Sequence, residues 1–294
     1  MKSSESKFKA AAGNVYSQKD KLWILIWITV IGLVTIWDLL FLNKPAFKLI
    51  TEGSVNTVII SLFVVLFSFL SGWLVSLVLV RLESAKMHIP YLLVTFFLNI
   101  IRSVPQIIGI LFGYIAITYL VTGNIFASKW LILISMAFVI SIFIFAEVVD
   151  LIRERINHFK KLDFYNAMKV CGISENRIIN YDILWKNSRI HILNKLIGVF
   201  GSAVFLLCTV DFIISVGLST QVSSVSLPVT LGSLLAKIDS KQDILAIGNT
   251  LSDPGYISHI FFEHLQGVTV AFLIVFTLIC VYKISNGFAG RKRI

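Results

Sequence analysis

Few side chains in this sequence have the type and spacing that chemistry needs. His259, Glu263 and His264 invite a metal reading, but an i, i+5 separation does not align two imidazoles on one helical face, so an ordinary exposed or satisfied histidine pair is expected. There is no G-x-x-x-x-G-K-S/T phosphate loop, no H-E-x-x-H and no G-x-S-x-G. Cys171, Cys208 and Cys280 form neither a disulfide framework nor a zinc pattern. What remains are charges embedded in apolar sequence. Arg102 is the one basic residue well inside an apolar run, where a central charge costs about 2.5–3.5 kcal/mol. Glu147 and Asp150 are its expected partners in a gate-holding ion pair, and the alternative is an arginine reaching out to lipid headgroups. Asp211 either faces a pathway, where it would receive a cationic group, or caps a kinked helix, or simply sits at the membrane interface; Asp38 is similar but nearer the end of its run.

The elements that must position these charges are membrane spans. The 294 residues are 57% hydrophobic and 14% charged, far from the roughly 25% charge of soluble domains. The apolar residues fall in runs long enough to cross a hydrocarbon core of roughly 30 Å, which takes about 20 helical residues. Six spans are expected: Leu22–Leu42, Thr57–Val80, Tyr91–Leu120, Trp130–Val149, Ile192–Val216 and Gly267–Ile284. The fold class is therefore all-α, a polytopic helical membrane protein. The third run is too long to be straight, and Pro105 marks a natural kink. Segments 1–21, 81–89, 152–191 and 283–294 hold 19 Lys and Arg against five on the other side, which puts both termini in the cytosol. The net charge of +10 is thus membrane topology rather than a nucleic-acid surface. The first run is too long for a cleavable signal and is expected as a retained helix.

Two soluble segments exceed ordinary connections: a basic cytosolic loop, 152–191, and an external segment, 217–266. In the loop, Phe164, Ala167, Met168 and Cys171 recur at helical spacing on one face, with Asp163 as N-cap and Gly172 as a left-handed stop. Ser174 can cap a second helix carrying Ile178, Ile179 and Ile183 on one side. This helix, glycine corner and helix would lie on the membrane surface, insert into a groove of a cytosolic partner, or pack on its own chain.

The stretch resembles the EAA loop of permease subunits of bacterial ABC importers, which in peptide and nickel permeases reads approximately D-Y-V-x-A-A-R-x-L-G-A-S, then R-I-I-x-x-H-I-L-P-N. The match runs through Asp163, Phe164, Ala167, Lys169, Gly172, Ser174, Arg177, Ile178, Ile179, Ile183 and Leu184. It departs at Asn166, where the family has glutamate, at Met168, where it has alanine, and at Trp185-Lys186, where it has proline. Downstream, Gly217-Leu218, the run Leu227-Pro228-Val229-Thr230-Leu231-Gly232-Ser233-Leu234-Leu235, and a last span ending in Asn286-Gly287 and Arg291-Lys292-Arg293 resemble the C-type subunits of oligopeptide and dipeptide permeases. Asn99–Pro105 is similar to amino-acid and methionine permeases.

The resemblance implies a type I permease fold with its core over 55–290, in a bacterial cytoplasmic membrane. It implies a coupling helix, Asp163 to Gly172 including Asn166, Met168, Lys169 and Cys171, that docks on an ATPase subunit. It further implies two ATPase subunits that bind ATP and Mg, a second B-type permease subunit, and an extracytoplasmic binding protein that meets 217–266. This chain would bind no cofactor and perform no catalysis. Peptides are the implied cargo, with amino acids, nickel complexes and phosphonate-like anions as alternatives. A stand-alone secondary transporter would need no docking helix, and a membrane enzyme would need a catalytic constellation that the residues do not supply.

Overall fold

A computed structural model describes residues 19–125, 128–217, 227–262 and 265–290. The readings placed on the N-terminal segment before Lys19, on Leu218, Glu263 and His264, and on Arg291-Lys292-Arg293 lie outside the described residues. Among the described residues there is no strand. The long helices are α1 (Lys19–Phe41), α2 (Lys44–Ser84), α3 (His88–Ser103), α4 (Gln106–Thr122) and α5 (Lys129–Lys160). A short α6 (Asp163–Val170) follows, then one helical turn, Glu175–Arg177, that continues as a π-helical stretch, Ile178–Asn187. The remainder is α7 (Arg189–Gly217), α8 (Leu231–Leu235), α9 (Ile238–Ser252), α10 (Ile257–Phe262) and α11 (Leu265–Gly290). Among the described residues five helices are long and apolar enough to cross a membrane, or six spans if α3 and α4 count as one broken span. This is a multi-pass membrane protein.

The expected third span is the one that changes most. Instead of one tilted rod it is two helices bent by 94°. Pro105 lacks a backbone donor and forces the residue before it out of the helical region. Val104 accordingly sits at φ −81°, ψ 125°, and α4 starts after Pro105. Hydropathy also understates two helices: α2 runs 41 residues, about 62 Å, and α5 runs 32, about 48 Å, so both continue as polar helix beyond any apolar core. Asn43 starts α2 by accepting from the Ala46 amide at 2.8 Å, with Pro45 in the first turn.

α5 lies at the centre, with Met136, Ile140, Ile144, Val148, Ile152 and Ile156 on its buried side, and α2, α4 and α7 pack around it. α2 is arranged for lipid. Its inner ridge is small or weakly polar, with Gly53, Thr57, Ser61, Ser68, Gly72 and Ser76 buried, whereas Leu62, Leu66, Leu70, Leu74 and Val78 form an exposed ridge at four-residue spacing. Small residues let backbones approach where hydrocarbon outside gives apolar side chains no reason to hide. A Cβ on Gly72 would sit 2.7 Å from Val148 Cβ. α1 shows the same inversion more strongly, since its buried residues are Asp20 and Asp38.

Candidate functional site

Beyond Val149, α5 continues for three further turns and carries the chain clear of the apolar core before it turns at Lys161 and Leu162. α6 starts there. Leu162, not Asp163, is its N-cap; Asp163 is the first helical residue, where its charge suits the helix N-terminus without a side-chain cap bond. Gly172 takes φ +76°, a left-handed conformation that favours glycine and turns the chain back toward the bundle. Ser174 is the N-cap of the next turn, and Ile178, Ile179 and Ile183, joined by Leu184, are buried against the core, so this side packs on its own chain.

α6 is fastened by a residue that the apolar pattern did not single out. Tyr165 is buried, and its hydroxyl donates to Glu175 Oε1 at 2.8 Å. The same oxygen accepts from Ser84 Oγ at 3.2 Å and lies 3.6 Å from Lys160 Nζ, so the ends of α2, α5 and α6 meet at one carboxylate. Burial, then the bond to Glu175 and its charge, push the Tyr165 phenol up to about 12. Burial alone would raise Glu175, but the Tyr165 bond, Lys160, the Ser84 bond and Lys169 together hold it below its ordinary value. Around this node, Arg81 Nη2 donates to Asn176 Oδ1 at 3.1 Å and Trp73 Nε1 to Asn180 Oδ1 at 3.1 Å, tying the returning segment to α2.

The outer side of α6 is left uncovered. Phe164, Ala167 and Cys171 are exposed, as are Asp163, Asn166 and Lys169, while Met168 is half-buried against the core. Val170 is 89% exposed. The face predicted from periodicity exists: Met168 packs on the core and the Phe164 ring meets Phe159 edge-on at 6.5 Å, while Ala167 and Cys171 stay exposed among the described residues.

The embedded charges resolve into separate contacts. Arg102 Nη2 and Asp150 Oδ1 form an ion pair at 2.5 Å. Glu147 does not share it, because Lys195 Nζ on α7 lies 2.7 Å from Glu147 Oε2 and takes that carboxylate. One turn along α5, Arg153 donates to the Tyr91 hydroxyl at 2.9 Å. α5 thus holds α3 through Asp150 and Arg153 and α7 through Glu147.

At the other end of the bundle, Asp211 is buried and accepts from the Thr230 hydroxyl. Thr230 is the N-cap of α8, closing a capping box with Ser233. The Leu231 amide donates to Thr57 Oγ1 at 3.0 Å, and Asn56 Nδ2 donates to the Val229 carbonyl at 2.7 Å. Gly232 lies against α7 so closely that a Cβ would be 2.3 Å from the Cys208 carbonyl oxygen. Asp211 therefore braces the cap of a wedge seated between α2 and α7. Asp38 accepts from Thr269 Oγ1 at 2.9 Å, joining α1 to α11.

A hollow of about 300 Å³ opens beside the bend, lined by Pro105, Gln106, Ile107, Ser202, Phe205 and Leu206. A larger apolar cleft of about 400 Å³ lies between α1, α2 and α11. Among the described residues no three metal-ligating side chains cluster, and His259 stacks on Tyr256 with ring centroids 4.9 Å apart. The segment 217–266 is mostly helical where described, as α8, α9, a 3₁₀ turn at Pro254–Tyr256 and α10, with 227–230 as irregular chain. No family model matches this chain, and no curated protein matches it in sequence.

Proposed function

We propose that this chain is the permease subunit of an ATP-driven importer, forming half of a translocation pathway with a second permease subunit. The observation that carries the reading is α6: a short helix outside the spans, fixed on its inner side through Tyr165 and Glu175, with Phe164, Ala167, Val170 and Cys171 uncovered on the outer side. Such a helix suits docking into a groove of a cytosolic ATPase subunit. Motion of that subunit would pass through the Tyr165 node to the ends of α2 and α5. Along α5 it reaches the Arg102–Asp150 and Lys195–Glu147 pairs, which in this reading hold the inward gate. The hollow beside Pro105 is the candidate stretch of pathway. ATP and Mg belong to the partner ATPases, and this chain performs transport without catalysis. The segment 217–266 would meet a binding protein that delivers peptides, the cargo indicated by the resemblance of 217–235; amino acids, nickel complexes and phosphonate-like anions are the alternatives.

The competing reading is a stand-alone secondary transporter, for which Asp38 and Asp211 would be the intramembrane carriers. Each already accepts a hydroxyl bond, from Thr269 and Thr230, which favours a structural role for both. The deciding experiment is mild-detergent capture of the full chain from its native membrane. Walker-motif ATPases, a second permease and a lipid-anchored binding protein are expected, and any solute on that binding protein names the cargo. Ala167→Arg should abolish ATPase association and uptake while leaving membrane insertion intact. A chain recovered alone or as a homo-oligomer, under conditions that preserve such complexes, would overturn the reading.

A further inference from the structure

We infer that α3 is not part of a span at all but lies in the plane of the membrane, at the boundary between headgroups and acyl chains, with its outer face in the hydrocarbon of one leaflet.

The direction of α3 follows from two independent observations. First, α4 runs alongside the spanning helix α5: a Cβ on Gly109 would meet the Phe143 ring at 2.3 Å, and one on Gly113 would meet Val139 at 2.3 Å. A small-xxx-small pair of this kind lays two membrane helices side by side. Since α3 is turned by 94° from α4, it crosses the bundle axis. Second, Tyr91 and Arg102 are 11 residues apart, about 16 Å along α3, yet their partners Arg153 and Asp150 are three residues apart, about 4.5 Å along α5. A helix parallel to α5 would need partners about 16 Å apart.

The depth of α3 follows from the same contacts. Asp150 lies 21 residues beyond Lys129, the first residue of α5, or about 32 Å along the helix, which is one hydrocarbon thickness. α3 therefore sits at the membrane–water boundary on the side of α6.

Its two faces then have distinct partners. Tyr91, Val94, Leu98 and Ile101 pack inward with Leu79, Phe145 and Val149. Ile89, Leu92, Leu93, Phe96, Phe97 and Ile100 recur at i, i+3, i+4, i+7, i+8 and i+11 on the outer side, and all are exposed. Six large apolar residues on a helix lying in the boundary plane are matched by acyl chains, into which such a face sinks about 5–10 Å. The flanking Lys86 and His88 are exposed beside it, where lipid headgroups would lie.

The test is a depth profile on the full chain reconstituted in vesicles of phosphatidylcholine and phosphatidylglycerol. With exposed Cys171 changed to Ser, single cysteines replace Ile89, Leu93, Phe96 and Ile100 on α3, and Ile108, Phe112, Ile115 and Tyr119 on α4. Each carries a nitroxide whose collisions with oxygen and with a water-soluble nickel chelate report depth. The four α3 labels should share one shallow depth, while the α4 labels change by about 1.5 Å per residue. A depth that changes steadily along α3 would make it half of a tilted span. Labels on α3 shielded from both quenchers, or coupled to each other between chains, would make the face a subunit interface. Either outcome overturns the inference, and neither depends on the cargo or on the ATPase partner.

Discussion

α6 and α8 are both short helices outside the long ones, at opposite ends of the bundle, and their surroundings differ in kind. α8 is enclosed: Leu231, Gly232 and Leu234 are buried, Asp211 and Thr57 take its first polar groups, and Gly232 leaves no room against α7. α6 touches the rest of the protein mainly through Tyr165 and Met168 and leaves Phe164, Ala167 and Val170 open. α8 lies in the more apolar stretch, Leu227–Leu235, and α6 carries Asp163, Asn166 and Lys169 among its apolar residues, yet composition alone does not say which is a wedge and which an open surface. The distinction lies in what the backbone polar groups and the glycines meet.

The largest effect that could break this comparison belongs to Gly232. In Gly232→Ala the new methyl falls on the Cys208 backbone, which cannot rotate away, so destabilisation at or beyond the roughly 3 kcal/mol upper range of core overpacking is expected. Gly198→Ala, with nothing within 4 Å, is the control and should be neutral or stabilising by up to about 1 kcal/mol. Thermal unfolding in detergent reads both; equal stabilities would mean that α8 is not wedged. Next comes Thr230→Val, which leaves Asp211 buried without its hydroxyl donor and should cost about 1–3 kcal/mol, with Ser restoring most of it. No restoration by Ser would show that shape, not the hydroxyl, holds the cap.

At the other end, Gly172→Val should cost about 1–2 kcal/mol through its backbone alone, since φ is +76° and no atom crowds the position. The loss should appear as faster amide exchange over 163–178 with little change in global unfolding; a global loss would mean that the corner is as integral as α8. The smallest effect is that of Tyr165→Phe, about 1 kcal/mol, confined to the same amides.

The Tyr165 node also carries a pH signature. The carboxyl of Glu175 is held below its ordinary 4.5, so its contribution is complete above that value and disappears as pH falls through the lowered one. Tyr165 is raised from 10.0 to about 12, so the phenol stabilises the fold fully below pH 10.0 and loses that contribution as pH rises toward about 12. Exchange over 163–178 should therefore be flat across neutral pH, relative to the intrinsic rates, and rise at both extremes. Tyr165→Phe should remove the alkaline limb; its persistence would locate the titrating group elsewhere.

Much of the architecture is legible in the sequence because hydropathy is local. Leu22–Leu42 is observed as Lys19–Phe41, and Ile192–Val216 as Arg189–Gly217. The helix, glycine corner and helix of the basic loop follow from residues a few positions apart and are found with Gly172 in the left-handed region. The polar continuations of α2 and α5 are invisible to an apolar window, although they carry α6 out to its position. Tyr165 lay unmarked between the apolar positions of its own helix; the two bases Lys160 and Lys169 followed by the acid Glu175 were the one available signal that a polar node forms there.

The sequence by itself determined which runs are apolar enough for a membrane, which end of the bundle is basic, and that Pro105 interrupts a helix, because transfer free energies and dihedral preferences are properties of neighbouring residues. Only the tertiary structure decided that Arg102 takes Asp150 while Glu147 takes Lys195, that Asp211 braces a cap, that the bend at Pro105 is 94°, and that one face of α6 stays open. Each of these depends on distances between residues tens of positions apart, which close packing sets and periodicity does not encode.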